Sequence, residues 1–381
     1  MFIAFLEAMH ISALDLIVFT VGLFWASTLS IASADVPPKI QGCVLLQQPL
    51  LCDSPPVSTI TSDPKIQFHT QDNRYLSVLW WNIQNGMTSQ LAYKKWGIDP
   101  LATNLKVLLT SNDSPDVIIL AEVSQKLFEE LLKMPGIVYE YTLFTRYSDK
   151  LSRSGMMLLS KFPLSDKEVL PLYGTPRFKD DNRERAYRAK WKSIPKYVSD
   201  FDRSAVRVTI VKNAYQHQVV FTHLINAWPS MSTLLKGRKA DLFFRMVTAP
   251  PKENLSPLDI QVQQLLATLR AQKETPFLLI GDFNLPTYAV PQRYRVFDFA
   301  INTVFGQKLS SYWYRKLSSL FQDPFKTHPD TIPTKLSSNF VKKLGFKVDQ
   351  AFTNKLQTKS RLVLPLAGSD HYPIYTLTRP F

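Results

Sequence analysis

An α/β architecture built as one unit is what this sequence predicts, on three observations. Short apolar, β-rich runs recur from Tyr75 to Thr378. Stretches with apolar residues at helical spacing fall between those runs rather than in a block of their own. The 381 residues, 45% hydrophobic and 20% charged, suit a sizeable core, and the chain shows neither an internal repeat nor a Gly-rich phosphate loop.

The first element is an address. No charge occurs from Leu16 to Ala34, and the run closes on Ala32-Ser33-Ala34, a small-x-small cleavage signature. The segment before it lacks Lys and Arg and carries Glu7 and Asp15. The run also reaches the ~18 to 20 apolar residues that span a bilayer. Residues 1–34 are therefore expected to be a signal peptide, with an N-terminal membrane anchor as the alternative. Export, periplasmic or secreted, is the expected destination.

Residues 35–73 form a Pro/Ser-rich lead-in (VPPKIQ, DSPPVSTITSDPK) that reads as surface-hugging. It holds the two cysteines, Cys43 and Cys52. In an oxidising compartment they can close one small loop; in a reducing one they are free thiols. Without nearby histidines they do not make a structural zinc site.

From residue 74 to 381 the character is that of a folded domain. YLSVLWWNI, from Tyr75, reads as a buried strand, and Leu101–Leu109 as a helix. DVIILAEV (116–123) is a second strand, GMMLLSKFPL (155–164) a third, AVRVTIV (205–211) and QVVFTHL (218–224) two more. Residues 258–272 carry apolar positions at helical spacing. PFLLIGDFN (276–284), FKVDQAFTN (346–354) and YPIYTLT (372–378) complete the strands. Interruptions at about 173–203, 228–257 and 304–345 are long enough to be functional or solvated insertions.

The net charge of +14 favours an anionic partner, whether nucleic acid, a phospholipid surface or a phosphorylated small molecule, over a merely solvated basic surface only when a site for phosphate accompanies it. Such a site is suggested by where polar residues fall. Asn82 and Gln84 end the first apolar run, Glu122 the second, and His223 a later one. Asp282 and Asn284 end the next, Asp349 sits in the one after, and Asp370-His371 precede the last. Strand ends are rigid platforms that fix mutual geometry. Oxygen-rich donors suit a hard cation such as Mg²⁺ or Mn²⁺, and histidines beside carboxylates suit proton transfer. Singly, a strand-end Glu or a buried His is more often structural; their order is the specific signal.

WNIQNG (81–86), PDVIILAEV (115–123), RSGMMLLSKFPL (153–164), FTHL (221–224), IGDFN (280–284), VDQAFTN (348–354) and GSDHYPIY (368–375) resemble, in order, the motifs of the endonuclease/exonuclease/phosphatase superfamily. That group includes pancreatic-type deoxyribonucleases, abasic-site endonucleases, neutral sphingomyelinases and inositol-polyphosphate phosphatases. GDFN and SDHYP are the most diagnostic pair. The resemblance implies a DNase I-like four-layer α/β-sandwich, two packed mixed β-sheets flanked by helices, with one cleft at a single edge. It implies Mg²⁺ or Mn²⁺ held by Glu122, assisted by Asn82 and Asp370. Asp282 would orient or deprotonate the attacking water, and Asn284 would bind a phosphoryl oxygen. His371, held by Asp349, would contact the scissile phosphate or act as base. His223 would stabilise transition-state charge or protonate the leaving group.

The sequence departs from the family in one place. After GDFN it reads LPTYAVPQRYRVF, without the Tyr-Arg pair that follows the Asn in inositol 5-phosphatases, so that substrate class loses weight. Arg293 and Arg295 in this stretch are candidates for substrate binding. Three functional readings follow: a nuclease-like phosphodiesterase, a sphingomyelinase-type phospholipase, and a binding module on the same fold. The second rests on Tyr312, Trp313, Tyr314 and Phe321 as membrane-entering aromatics, although that stretch reads equally as an amphipathic helix packed on the core. A nuclease-like enzyme is preferred, acting as a monomer on nucleic acid, with a phospholipid headgroup as the alternative substrate.

Overall fold

The computed structural model describes residues 68, 72–86, 90, 94, 99–147, 154–174, 182, 202–225, 257–288, 312–322, 346–364, 366, 369 and 371–381. Residues 1–34, Cys43, Cys52, Arg293, Arg295, Asp370 and most of the three interruptions lie outside the described residues. Among the described residues no helix is long and apolar enough to cross a membrane.

The elements run β1 (Leu76–Asn82), α1 (Pro100–Thr110), β2 (Val117–Ser124), α2 (Gln125–Leu132), β3 (Tyr141–Arg146), β4 (Ser154–Ser160), β5 (Leu164–Leu172), β6 (Arg203–Lys212), β7 (Tyr215–His223), α3 (Pro257–Ala271), β8 (Phe277–Tyr288), α4 (Tyr312–Leu320), β9 (Phe346–Asn354), β10 (Leu356–Val363) and β11 (Ile374–Pro380). They form a six-stranded sheet, ordered β10-β11-β1-β2-β4-β3, and a five-stranded sheet, ordered β5-β6-β7-β8-β9. Both are mixed, since β1–β2 and β7–β8 are parallel pairs in otherwise antiparallel sheets.

Alternation along the strands builds three cores. Trp80, Ile119 and Leu158 of the first sheet meet Val208, Phe221 and Ile280 of the second. The opposite faces pack helices: Leu79, Trp81 and Leu120 against Leu105 of α1 and Leu131 of α2, and Val220, Leu279 and Phe352 against Leu265 of α3 and Leu317 of α4. The order of layers is helix, sheet, sheet, helix, as the resemblance implies. Helix α1 begins where Asp99 caps it, its carboxylate accepting from Ala102 N–H at 2.9 Å, with Pro100 in the first turn.

The 155–164 run is not one strand. It is nearly all of β4 and the first residue of β5, which belong to different sheets. The Ser160 hydroxyl accepts from Phe162 N–H at 3.0 Å and donates to the Phe162 carbonyl at 2.7 Å, and Pro163 lacks the N–H that would continue the β4 ladder. The aromatic stretch at 312–321 is a core helix. Trp313, Leu317 and Phe321 are 9%, 0% and 6% exposed, and the Trp313 indole donates to Asp259 at 2.6 Å. Trp313 and Phe321 are thus taken up by packing and are not free to enter a membrane, while the Tyr312 side chain lies outside the described residues.

Gly281, in the GDFN motif, lies where β8 presses against β7. A Cβ there would be driven into the Thr222 carbonyl oxygen. Gly281→Ala is expected to lower stability by roughly 1–3 kcal/mol, read as an earlier urea midpoint with unchanged slope. An unshifted midpoint would show that the two strands can separate freely.

Candidate active site

Topology brings the strand-end residues to one edge of the sandwich. β1 and β2 are parallel and end together, Asn82 opposite Ala121. β7 and β8 are parallel with His223 opposite Asp282, and antiparallel β9 sets Asp349 opposite Asp282. β11 runs back along β1 with Ile374 opposite Trp80, so His371 arrives at the same edge. Asn82, Glu122, His223, Asp282, Asn284, Asp349 and His371 are thus collected there.

Two of these residues sit at irregularities that aim them. Glu122 has φ 57° and lies where the β2–β4 register shifts between Ala121 and Val123. Asn284 has φ 50° and follows Asp282, where the β8–β9 register shifts. A non-glycine residue in this region costs about 1–3 kcal/mol, and bulges of this kind re-aim side chains beside functional sites.

The centre of the site is Asp282, 2% exposed. Its Oδ2 accepts from Asn82 Nδ2 at 3.1 Å and stands 3.5 Å from His223 Nε2 and 3.9 Å from His371 Nε2. Its Oδ1 accepts from Asn284 N–H at 3.0 Å, and the Asn284 amide donates to the Leu224 carbonyl at 2.8 Å, which fixes Asn284 beside it. Burial, then the charge of Asp349, raises the Asp282 carboxyl from 3.8 to about 7.

Asn82 joins two carboxylates. Its Nδ2 donates at 3.1 Å to both Glu122 Oε1 and Asp282 Oδ2, while its Oδ1 accepts from Gln84 N–H at 3.1 Å. Expected as an assisting ligand, Asn82 here turns its nitrogen toward the acids. The Glu122 side chain, 33% exposed, is the open member of the group.

Asp349 and His371 form a dyad. His371 Nδ1 is 2.6 Å from Asp349 Oδ2, and the other oxygen accepts from the Trp80 indole at 2.8 Å. Asp349 is 0% exposed, so this pair of bonds satisfies a fully buried carboxylate. Asp282, Asp349 and His371 also place one donor atom each within 4.8 Å of one another, close enough to share a metal ion. Both Asp349 oxygens are already engaged, which favours the dyad over that arrangement.

Two residues of the site are aromatic and gave no polar signal in the sequence. Trp80 is one. The other is Tyr147, 5% exposed, whose hydroxyl accepts from Glu122 N–H at 3.0 Å and lies 2.7 Å from His223 Nδ1. Burial, then the Arg203 and His371 charges, holds His223 well below the usual histidine range. The chain ending of YTLFTRY, a polar aromatic just after a short strand, is the only trace of Tyr147 in the sequence.

The residues present fit a hard divalent cation. Two carboxylates with oxygen not taken up by a histidine dyad, Glu122 and Asp282, share the Asn82 amide at this edge, and the donors are oxygens.

Comparison with known proteins places this edge in context. The sequence matches the Endonuclease/Exonuclease/phosphatase family over residues 79–371. No curated protein matches. An endonuclease/exonuclease/phosphatase from Bacteroides vulgatus shares 14% identity over 81% of this chain and 99% of its own, with a TM-score of 0.49. One from Beutenbergia cavernae shares 17% over 81% and 72%, with a TM-score of 0.47. The mannosyl-6-phosphatase of Bacteroides thetaiotaomicron shares 14% over 80% and 99%, with a TM-score of 0.46. Since the family match reaches from β1 to His371 and takes in every residue of the edge just described, the chain belongs to the endonuclease/exonuclease/phosphatase family.

Proposed function

We propose that this protein is an exported, divalent-metal-dependent phosphodiesterase of nuclease type, hydrolysing its substrate by attack of water. The family is one of phosphoester hydrolases. The observation that carries the finer reading is the buried Asp282 carboxylate, set between two histidines and bridged through Asn82 to the open Glu122. A net charge of +14 suits a polyanionic substrate.

Glu122 would hold Mg²⁺ or Mn²⁺ with the Asn82 amide and Asp370 beside it. When bound, the ion neutralises phosphate charge and makes water more acidic. Asp282, raised toward neutral pH and buried, accepts the proton of the attacking water. Asn284, held by Leu224, offers its amide to a phosphoryl oxygen. His371, oriented by Asp349, and His223 meet the phosphate from either side of Asp282. Arg293 and Arg295 extend the contact to flanking phosphates. The N-terminal run delivers the enzyme outside the cytoplasm.

The test is hydrolysis by the full chain of plasmid DNA, RNA, sphingomyelin and phosphoinositides, with Mg²⁺ or Mn²⁺ and with EDTA. Turnover of nucleic acid is expected, abolished by EDTA and by the Glu122→Ala, His371→Ala double variant. Turnover of sphingomyelin alone would move the protein to the phospholipase reading. No turnover by folded, metal-loaded protein would favour a binding module.

A further inference from the structure

The Tyr147 hydroxyl has one proton and two described neighbours. One is Glu122 N–H, at 3.0 Å, which can only donate to it. The other is His223 Nδ1, at 2.7 Å. Tyr147 is 5% exposed, its ring edge-on to the imidazole with centroids 5.3 Å apart, and Arg203 lies over the ring at 5.1 Å. Among the described residues the hydroxyl proton therefore has one place to go, the lone pair of His223 Nδ1. If Nδ1 carried the hydrogen instead, the hydroxyl would face two donors with its own proton pointing at no acceptor, at the cost of a buried unsatisfied group, about 1–3 kcal/mol.

Occupation of Nδ1 decides what the other nitrogen can do. A neutral imidazole carries one N–H, so Nε2 holds it. Nε2 is the atom that faces the site, 3.5 Å from Asp282 Oδ2 and 3.8 Å from Glu122 Oε1. An N–H aimed between two carboxylates, where a phosphate is to sit, is a hydrogen-bond donor for a phosphoryl or leaving-group oxygen and not a base for water.

We propose that Tyr147 is a positioning residue that locks His223 as its Nε2–H tautomer, so that this histidine enters the reaction as a neutral hydrogen-bond donor. The role rests on the phosphoesterase reading of the site, which it deepens by dividing labour: Asp282 takes the proton and His223 gives a hydrogen bond. The same hydroxyl ties this donor to the backbone of Glu122, at the strained turn of β2, so the open carboxylate and the donor are set by one oxygen. Nothing in the residue pattern announces the arrangement, because Tyr147 and His223 are 76 positions apart, the first just past the end of β3 in one sheet and the second at the end of β7 in the other.

The experiment is a long-range ¹H–¹⁵N correlation of the full-length chain labelled at histidine, with His223→Gln to identify the signals, alongside kinetics of Tyr147→Phe. In the wild type, His223 is expected as a single neutral tautomer protonated at Nε2. In Tyr147→Phe, which keeps the ring and removes the hydroxyl, a mixture of tautomers is expected. With bis-p-nitrophenyl phosphate at saturating Mg²⁺, kcat should fall roughly 10- to 100-fold, with KM changed by less than about threefold. An Nδ1–H tautomer in the wild type overturns the proposal and needs no variant. So does a Tyr147→Phe protein whose tautomer is unchanged and whose only defect is a higher Mg²⁺ requirement, which would show that the hydroxyl serves Glu122 alone. Failure of the wild type to hydrolyse any phosphodiester would sink the phosphoesterase reading instead, and the tautomer measurement would still decide the contact.

Discussion

Asp282→Asn should lower kcat by about 10²- to 10⁴-fold, the range expected when a general base is removed, while leaving the protein folded. Asparagine keeps the shape of the side chain, and its oxygen can still accept from Asn284 N–H, as Asp282 Oδ1 does at 3.0 Å. What it cannot do is accept a proton. The group is 2% exposed and beside the fully buried Asp349, and those two facts, burial first, raise its carboxyl to about 7. A carboxylate so placed costs stability when charged, so neutralising it removes a repulsion with Asp349; this offsets the bond from Asn82 Nδ2 that the new amide nitrogen cannot accept, and Tm should change little. Steady-state kinetics and a thermal melt on the same preparation separate the two effects. In the wild type, activity should fall as the pH drops and Asp282 gains its proton; the variant should lack that limb. A variant within tenfold of wild type would transfer the base role to His371, which stands 3.9 Å from the same oxygen.

Much of this site was legible because its chemistry is written in polar residues at the ends of apolar runs. Asn82, Glu122, His223, Asp282 and Asp349 interrupt patterns that would otherwise continue as buried strand, and so many polar groups at successive strand ends are more than packing alone asks for. Trp80 and Tyr147 break no pattern. Each is a core residue in all but one atom, and the atom that matters, an indole N–H or a phenol hydroxyl, is invisible to an apolar/polar reading. The missed strands have a physical cause of the same kind. β3, β5 and β10 are edge strands of their sheets. LSDKEVLPL and LQTKSRLV are consequently rich in polar and charged residues, which protect an open edge and erase the apolar run by which a central strand is found. The amphipathic stretch of α4 shows the converse: its period was readable, but only Trp313 and Leu317 packed beneath it tell whether the apolar face meets a core or a membrane.

At the end of the sandwich away from Asp282, the sheets are joined by a buried ion pair, and Lys212→Met is expected to cost about 3–5 kcal/mol of stability. Lys212 closes β6; its ammonium donates to Asp116 Oδ2 at 2.7 Å and to the Tyr75 carbonyl at 2.8 Å, with the two side chains 11% and 3% exposed. The same Asp116 oxygen accepts from Ser77 N–H at 2.9 Å, and the Ser77 hydroxyl oxygen accepts from Asp116 N–H at 2.8 Å. One lysine of the second sheet thus fastens the starts of β1 and β2 in the first. Methionine preserves the volume but strands a carboxylate in the interior. Adding Asp116→Asn should recover part of the loss, since the amide oxygen can still accept from Ser77. The cluster also sets an acid response. His217, opposite Ile210 in the β6–β7 hairpin, is 5% exposed, and burial first and the Lys212 charge second push it down to about 4. The unfolded chain takes up that proton near 6.5 and the folded chain only near 4, so the contribution is whole above 6.5 and is lost as the pH falls from 6.5 toward 4. In Lys212→Met the repelling ammonium is gone and Asp116 remains to favour the imidazolium. The loss of stability across that window should then be smaller than in the wild type, even though the variant is less stable at pH 7. Urea unfolding of both proteins across the window measures it, and parallel pH curves would show that His217 does not sense Lys212.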